Sequence, residues 1–266
     1  MPVRSLNREI LRLSLPSILA NLTVPLVGMV DTALAGHLEG GAAAFIGGIS
    51  VGSMLLNLLY WNFFFLRTGT GGLTAQAYGR RDAHECARIF FRGIGMAAML
   101  SLPLLVLQRP FARLGMLLVS ASPKVSELAL RYFFIRIWAA PATVSLMVFR
   151  GWFVGMQDSM SSMWTDLVVN IVNIAASVLL TFGCFGWQGM GFDGIATGTI
   201  VAQYAGLLYV ILVCVFKYSE VFRTVAGKDF VEFNLNILAR TSASETYGDK
   251  AQRTSQRNRR MFEANI

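Results

Sequence analysis

Charged residues are scarce in this sequence. Only 14% of its 266 residues are Asp, Glu, Lys or Arg, whereas 55% are hydrophobic, and an average soluble domain carries about 25% charged residues. A chain this apolar could not cover itself with polar surface in water. The composition therefore excludes a soluble domain for most of the chain, up to about residue 217, and favours a protein embedded in a membrane.

Cysteine and histidine are also scarce. The three cysteines are far apart without C-x-x-C spacing, and there are only two histidines, so neither a disulfide framework nor a zinc site is expected. The sequence contains no H-E-x-x-H and no phosphate-binding G-x-x-x-x-G-K-[ST] motif. We therefore expect neither an enzyme nor a bound cofactor.

Long apolar runs dominate what is present. A transmembrane helix needs about 20 mainly apolar residues, and six runs qualify: residues 9–36, 42–66, 86–107, 125–155, 160–185 and 194–216. They are apolar throughout, whereas the strands of a membrane barrel would alternate. The sequence thus predicts an all-α membrane protein, with a six-transmembrane-helix bundle over residues 1–228.

Lysine and arginine in the short loops predict the orientation. They collect before the first predicted helix, between the second and third, between the fourth and fifth, and after the sixth: Arg4, Arg8, Arg12, Arg67, Arg80, Arg81, Arg88, Arg150, Lys217, Arg223 and Lys228. By the positive-inside rule, we expect both termini to lie on the cytoplasmic side of the membrane. The third-to-fourth connection disagrees, and its amphipathic run at 110–119 predicts either an interfacial helix or an ordinary loop helix.

Residues 229–266 differ from the rest. They contain no run long enough to span a membrane, and their polar, basic composition predicts a disordered cytoplasmic tail. The tail lacks interleaved aromatic residues, so contact with water or lipid headgroups is favoured over nucleic-acid binding.

A carboxylate in an apolar span is costly and points to function. Asp31 lies in the first predicted helix, where it could exchange a proton or help to ligate Na⁺. Alternatively, it is hydrogen-bonded to a neighbouring helix or exposed near the outer end. Pro16 and Pro25 on the same helix predict a bend, which is either a switch or an ordinary feature of membrane helices.

The fifth predicted helix carries a polar stripe. Asp166, Asn170 and Asn173 share one face, which points either into a cavity or to interhelical hydrogen bonds. On the fourth helix, Arg131 and Arg136 are expected to extend toward the membrane surface, although Arg136 lies deep enough to need a partner.

Four segments carry a family resemblance: L-P-S-I-L-A-N-L-T-V-P-L-V-G-M-V-D-T-A-L-A-G-H-L at 15–38, G-L-T-A-Q-A-Y-G at 72–79, G-W-F-V-G-M-Q at 151–157 and G-I-A-T-G-T-I-V-A-Q at 194–203. In this order they resemble multidrug and toxic compound extrusion (MATE) transporters, specifically the DinF-like branch, over residues 5–240. The resemblance implies an antiporter, driven by H⁺ or Na⁺, that exports drugs and other cationic or amphipathic compounds. Such transporters usually have twelve helices in two lobes, each with a cavity.

The resemblance also implies roles for single residues. It makes Asp31 the ion-coupling group, with Na⁺ binding there possible, and Pro16 the residue that lets the first helix bend. It places Asn173 in the cavity, together with Thr197 or Thr199. Ser177 stands where the family often has an aspartate, so coupling would rest mainly on Asp31.

The resemblance covers one lobe only. Beyond Ser242 the sequence is polar and unlike the family. We expect either a truncated, non-transporting fragment or a half-size transporter that works as a dimer or with a second lobe. A flippase for lipid-linked saccharides is a weaker alternative, because such lumens are typically more basic than these spans.

Overall fold

The computed structural model describes residues 28–38, 41–119, 121–184 and 186–223, and its regular elements within these ranges are all helices. Both prolines of the first predicted helix and the predicted tail lie outside them. The helices are α1 (28–36), α2 (Ala42–Trp61), α3 (Phe64–Gly79), α4 (Ala83–Val106), α5 (Gln108–Leu117), α6 (Pro123–Arg136), α7 (Ala140–Gly155), α8 (Ser159–Phe182), α9 (Phe192–Lys217) and α10 (Ser219–Arg223).

Five stretches of the described residues are long and apolar enough to cross a membrane. They are Ala42–Gly79, Ala83–Val106, Pro123–Gly155, Ser159–Phe182 and Phe192–Lys217. The all-α membrane fold class predicted from the sequence is confirmed. The first of the six predicted spans lies mostly outside the described residues. The amphipathic run at 110–119 forms a separate short helix, α5.

The predicted end of the second span at residue 66 is wrong. After a short interruption at residues 62–63 the chain continues as α3 to Gly79, so Arg67 belongs to a helix rather than to a loop. The glycines around position 70 look like loop residues in the sequence, but they lie within α3, and Gly71 packs against α7. A side chain added at Gly71 would press on the backbone of Gly151 in α7, and one at Gly151 would collide with the carbonyl of Arg67.

A local distortion divides the fourth span. Pro141 has no N–H with which to bond the carbonyl of Ile137, and the N–H of Ala140 bonds it instead. The turn tightens into a 3₁₀ segment, Ile137–Ala139, between α6 and α7. Arg136 is the last residue of α6, immediately before this break.

The turn before α8 is held by one carboxylate. Asp158 caps α8 by accepting a hydrogen bond from the N–H of Ser161 (3.2 Å). It also accepts hydrogen bonds from Lys217 Nζ (2.7 Å) and the Tyr218 hydroxyl (2.6 Å) at the end of α9. Burial raises the pKa of Asp158, but hydrogen bonds from Lys217, Ser161 and Tyr218 outweigh it and hold the pKa below its usual range.

Candidate functional site

A polar cavity of about 430 Å³ lies among the helices, lined by residues from α1, α2, α3, α6, α7, α8 and α9. Apart from Gly28, Ile49 and Val169, all of its lining residues are polar or charged. Polar side chains at membrane depth are costly unless they are paired or line a water-filled space. The cavity is therefore the candidate binding site in the described part of the chain.

Asp31 contributes to this lining from α1. The residue is only 3% exposed, and its Oδ1 atom has no hydrogen-bond partner among the described residues. A buried carboxylate oxygen without a partner is unfavourable. Asp31 is therefore neither tied to a neighbouring helix through this atom nor open to the outside, and Oδ1 is available to a proton or a ligand donor.

Arg136 faces the same cavity from the end of α6. Its Nη1 atom donates hydrogen bonds to the Tyr132 hydroxyl (2.7 Å) and to Ser53 Oγ (3.3 Å). Its guanidinium carbon lies 5.6 Å from the centre of the Tyr132 ring, and it interacts electrostatically with Asp31. Arg136 therefore does not extend outward; as its depth in the fourth span suggests, it has partners, and they hold it inside the bundle.

Arg131 behaves differently. Its side chain is 58% exposed, and its Nη2 lies 2.6 Å from Asp193 Oδ2 at the start of α9. Arg131 does not line the cavity.

A second charged pair lines the cavity. Arg150 Nε in α7 lies 2.7 Å from Asp166 Oδ1 in α8, and the two side chains are 16% and 15% exposed. From the sequence alone, Arg150 is a loop charge and Asp166 belongs to a polar stripe with Asn170 and Asn173. The structure corrects the assignment of Arg150, which lies within α7. Asp166 does line the cavity with Asn170 and Asn173, and its pairing with Arg150 joins α8 to α7.

The polar residues predicted for the cavity fall into two groups. Some line the cavity, and the others form hydrogen bonds away from it. Asn170, Asn173 and Thr199 line the cavity, and the buried Asn173 Nδ2 donates to Thr199 Oγ1 (3.0 Å). Thr197 and Ser177 are placed away from the lining. Thr197 Oγ1 donates to the carbonyl of Asp193 (2.8 Å), and Ser177 packs against α9, donating to the carbonyl of Ile195 (3.5 Å).

The lining is also more basic than the sequence suggested. Its charged members are Asp31, Arg67, Arg136, Arg150 and Asp166, which leaves one positive charge in excess. Arg67 was missed as a lining residue because the second span was ended one residue too early. If the second predicted helix is continued through the glycines that follow, Arg67 lies within that helix.

The sequence model of one protein family, MatE, matches residues 16–179. The chain belongs to the MatE family. The DNA damage-inducible protein F of Escherichia coli (strain K12) is 36% identical over 204 residues, which make up 77% of this chain and 43% of that protein. The multidrug resistance protein MdtK of Edwardsiella ictaluri (strain 93-146) is 23% identical over 223 residues, 84% of this chain and 46% of that protein.

A solved structure shares the fold. The outward-facing conformation of a multidrug resistance MATE family transporter of the MOP superfamily aligns with a TM-score of 0.71 at 18% identity, over 84% of this chain and 48% of that one. That structure is named as a transporter, and MdtK is named as a multidrug resistance protein. The chain spans less than half the length of the curated relatives it matches.

Proposed function

We propose that this chain forms one lobe of an H⁺- or Na⁺-coupled antiporter that exports drugs or toxic amphipathic compounds across the bacterial inner membrane, with both termini in the cytoplasm. In this proposal the polar cavity is the substrate site and Asp31 is the coupling group. The observation that carries the proposal is the position of Asp31: it is almost fully buried, it faces the cavity, and one carboxylate oxygen has no partner among the described residues.

Antiport requires that the coupling ion and the substrate exclude each other. An ionised carboxylate can accept hydrogen bonds from a ligand, whereas a protonated or Na⁺-bound carboxylate loses part of that capacity. Asn170, Asn173 and Thr199 beside it supply further amide and hydroxyl groups. A substrate that donates hydrogen bonds would therefore compete with the ion for Asp31.

The charges of the lining bear on the substrate. The family resemblance implies cationic or amphipathic compounds, and MdtK is named as a multidrug resistance protein. Three arginines and two aspartates line the cavity, and an excess positive charge repels permanent cations in a medium of low polarity. Uncharged amphipathic compounds fit this lining better.

Alternating access in such transporters takes two lobes that move against each other. The chain spans less than half the length of its relatives. We propose that transport needs a second lobe in addition to the one described, which a second copy could supply. The competing possibility is a fragment that has the fold of the lobe but does not transport.

Drug export in a bacterium without its own antiporters tests the proposal. Wild-type protein should lower the accumulation of an amphipathic dye, and Asp31→Asn should abolish this effect at equal membrane expression. Asp193→Asn is the matched control: this aspartate pairs with the exposed Arg131 outside the cavity, and export should persist.

Equal export by wild type and Asp31→Asn would contradict the coupling role. If well-expressed wild-type protein exports nothing, the non-transporting fragment is favoured.

A further inference from the structure

Two neighbouring spans are each interrupted near their middle. Between α2 and α3, the N–H of Phe63 bonds the carbonyl of Tyr60 (2.9 Å), and the N–H of Leu66 bonds the carbonyl of Phe63 (3.0 Å). These bonds reach back three residues instead of four, as in a tightened turn. The other interruption is the 3₁₀ segment Ile137–Ala139 between α6 and α7.

Each interruption has a local cause in the sequence. The side-chain amide of Asn62 donates to the carbonyl of Leu58 (2.8 Å), which is the acceptor that the Asn62 N–H would use in an uninterrupted helix. At the second interruption Pro141 lacks an N–H, and the hydroxyl of Tyr204 in α9 donates to the carbonyl of Trp138 (3.1 Å). Both breaks are therefore specified by particular side chains.

The two broken spans pack closely on both sides of their breaks. A side chain added at Gly52 in α2 would collide with Tyr132 in α6, and one added at Gly155 in α7 would collide with Thr74 in α3. Such close packing couples the two helices that touch. The broken spans thus form two packed halves, α2–α6 and α3–α7, and each span has its break between them.

The spans α8 and α9 have no break of this kind along Ser159–Phe182 and Phe192–Lys217. They also pack closely on each other, because a side chain added at Gly198 would collide with Ser177 and one at Gly206 would collide with Val169. α8 and α9 therefore form an unbroken pair.

The polar cavity lies between the broken spans and this unbroken pair. The α2–α6 half contributes Ser53, Asn57 and Arg136 to the lining, and the α3–α7 half contributes Arg67 and Arg150. Most of the remaining lining comes from α8 and α9. Bending at the breaks would therefore change the distance between two groups of polar lining residues while the opposite wall keeps its shape.

Interrupting a helix inside a membrane is costly, because backbone groups that lose their helical partners have no water to bond. This chain carries that cost in two adjacent spans. Discontinuous helices of transporters lie at substrate sites, and hinges are a few residues at the ends of elements. Both breaks lie at helix ends beside the cavity.

We propose that the two breaks act together as a hinge, about which the α2–α6 half bends relative to the α3–α7 half and so widens or narrows the cavity. The proposal rests on the proposed function only in taking this cavity as the substrate site. It assigns to Asn62 and Pro141, neither of which lines the cavity, the role of keeping the two spans bendable.

Distances between spin labels on the full chain in lipid nanodiscs test the hinge. Only the exposed Cys184 is replaced by serine beforehand, since Cys86 and Cys214 are buried. One label stands on each half at an exposed position, Met54→Cys in α2 or Leu73→Cys in α3.

The second label stands on α8, at Leu179→Cys for the α2 site and at Met160→Cys for the α3 site, both also exposed. The two α8 sites together give the reference distance along an unbroken helix. A bend of about 20° moves a site about ten residues from the break by about 5 Å. At least one of the two distances should therefore spread over about 5 Å more than the reference distance.

Removing the causes of the breaks should remove this extra spread. Asn62→Leu/Pro141→Ala does so for both spans, and the single variants serve if the double variant does not fold. Pro103→Ala is the matched control: Pro103 lies inside α4, which does not line the cavity, and the extra spread should persist.

Adding N-phenyl-1-naphthylamine separates this proposal from the proposed function. The bound probe should shift the wild-type distribution toward one end and leave the reference distance unchanged. If the probe does not bind, the substrate site fails, while the spread without probe still reports on the hinge. A spread equal in wild type and the double variant, both with and without probe, would overturn the hinge, as would a spread that Pro103→Ala removes equally.

Discussion

Two pairs of opposite charges face the same cavity, and they are built differently. Arg150 and Asp166 form a direct ion pair of 2.7 Å between α7 and α8. Asp31 and Arg136 interact electrostatically, but Arg136 donates its hydrogen bonds to Tyr132 and Ser53. One carboxylate oxygen of Asp31 has no hydrogen-bond partner among the described residues. We call Arg150–Asp166 the closed pair and Asp31–Arg136 the open pair. The comparison indicates that the closed pair holds two helices together, whereas the open pair leaves a carboxylate oxygen free to bind a proton or a ligand.

Breaking the closed pair should have the largest effect on stability. Asp166→Asn leaves the guanidinium of Arg150 mostly buried without its counter-ion, which we expect to cost about 3 kcal/mol of unfolding free energy. The double variant Arg150→Gln/Asp166→Asn removes both charges and should recover most of the loss.

Thermal unfolding of detergent-solubilised protein with a thiol-reactive dye measures this effect. Cys86 and Cys214 are buried and become reactive on unfolding, while the exposed Cys184 gives a constant background. A single variant as stable as wild type would show that the closed pair does not hold α7 to α8.

The ion pair between Asp158 and Lys217 should have a smaller effect on stability. Asp158→Asn keeps a side chain that can cap α8 but removes the charge facing Lys217, whose side chain is 53% exposed. We expect a loss of at most about 1 kcal/mol.

The pH dependence of this contribution has a defined sign. Because the folded-state pKa of Asp158 is lowered, its stabilising effect is complete above the ordinary aspartate value of about 3.9 and is lost as pH falls through the lower folded value. Wild type and Asp158→Asn should therefore converge in stability in acid. A difference that grows with falling pH would contradict this origin.

The open pair should matter least for stability. Asp31→Asn removes a buried charge without breaking a hydrogen bond to its Oδ1 atom among the described residues, so the expected change is below about 1 kcal/mol. The same thermal assay measures it. A loss as large as that of Asp166→Asn would mean that the two pairs are equivalent.

Much of the fold could be predicted from the sequence, because apolar runs of membrane-spanning length are a local property. The spans from α4 to α9 lie within a few residues of their predicted positions. The end of the second span could not be predicted, because the glycines near Gly71 are conformationally ambiguous. Only the approach of Gly151 from α7 shows that Gly71 serves helix packing.

The sequence could predict several buried polar residues of the candidate site, but it could not predict which charged residues pair across the helices. Asp31 and Asn173 stand out in the sequence because each is polar within an apolar run. Arg136 also stands out, because it lies deep in the fourth span, but which residues it contacts could not be predicted. Arg150 was not recognised as a partner of Asp166, since the two lie on different helices and pairing across helices depends on tertiary structure. The choice of Thr199 over Thr197 likewise follows from the rotation of α9.

The central claim is that a proton and a substrate compete at Asp31, and ligand binding at two pH values tests it most directly without requiring a second lobe. The full chain in lipid nanodiscs is titrated with the uncharged amphipathic probe N-phenyl-1-naphthylamine at mildly acid and mildly alkaline pH, with empty nanodiscs subtracted. Wild type should bind more weakly in acid, by up to about tenfold per pH unit for one competing proton, and Asp31→Asn should bind equally at both. Wild-type binding that is independent of pH, or stronger in acid, would contradict the account.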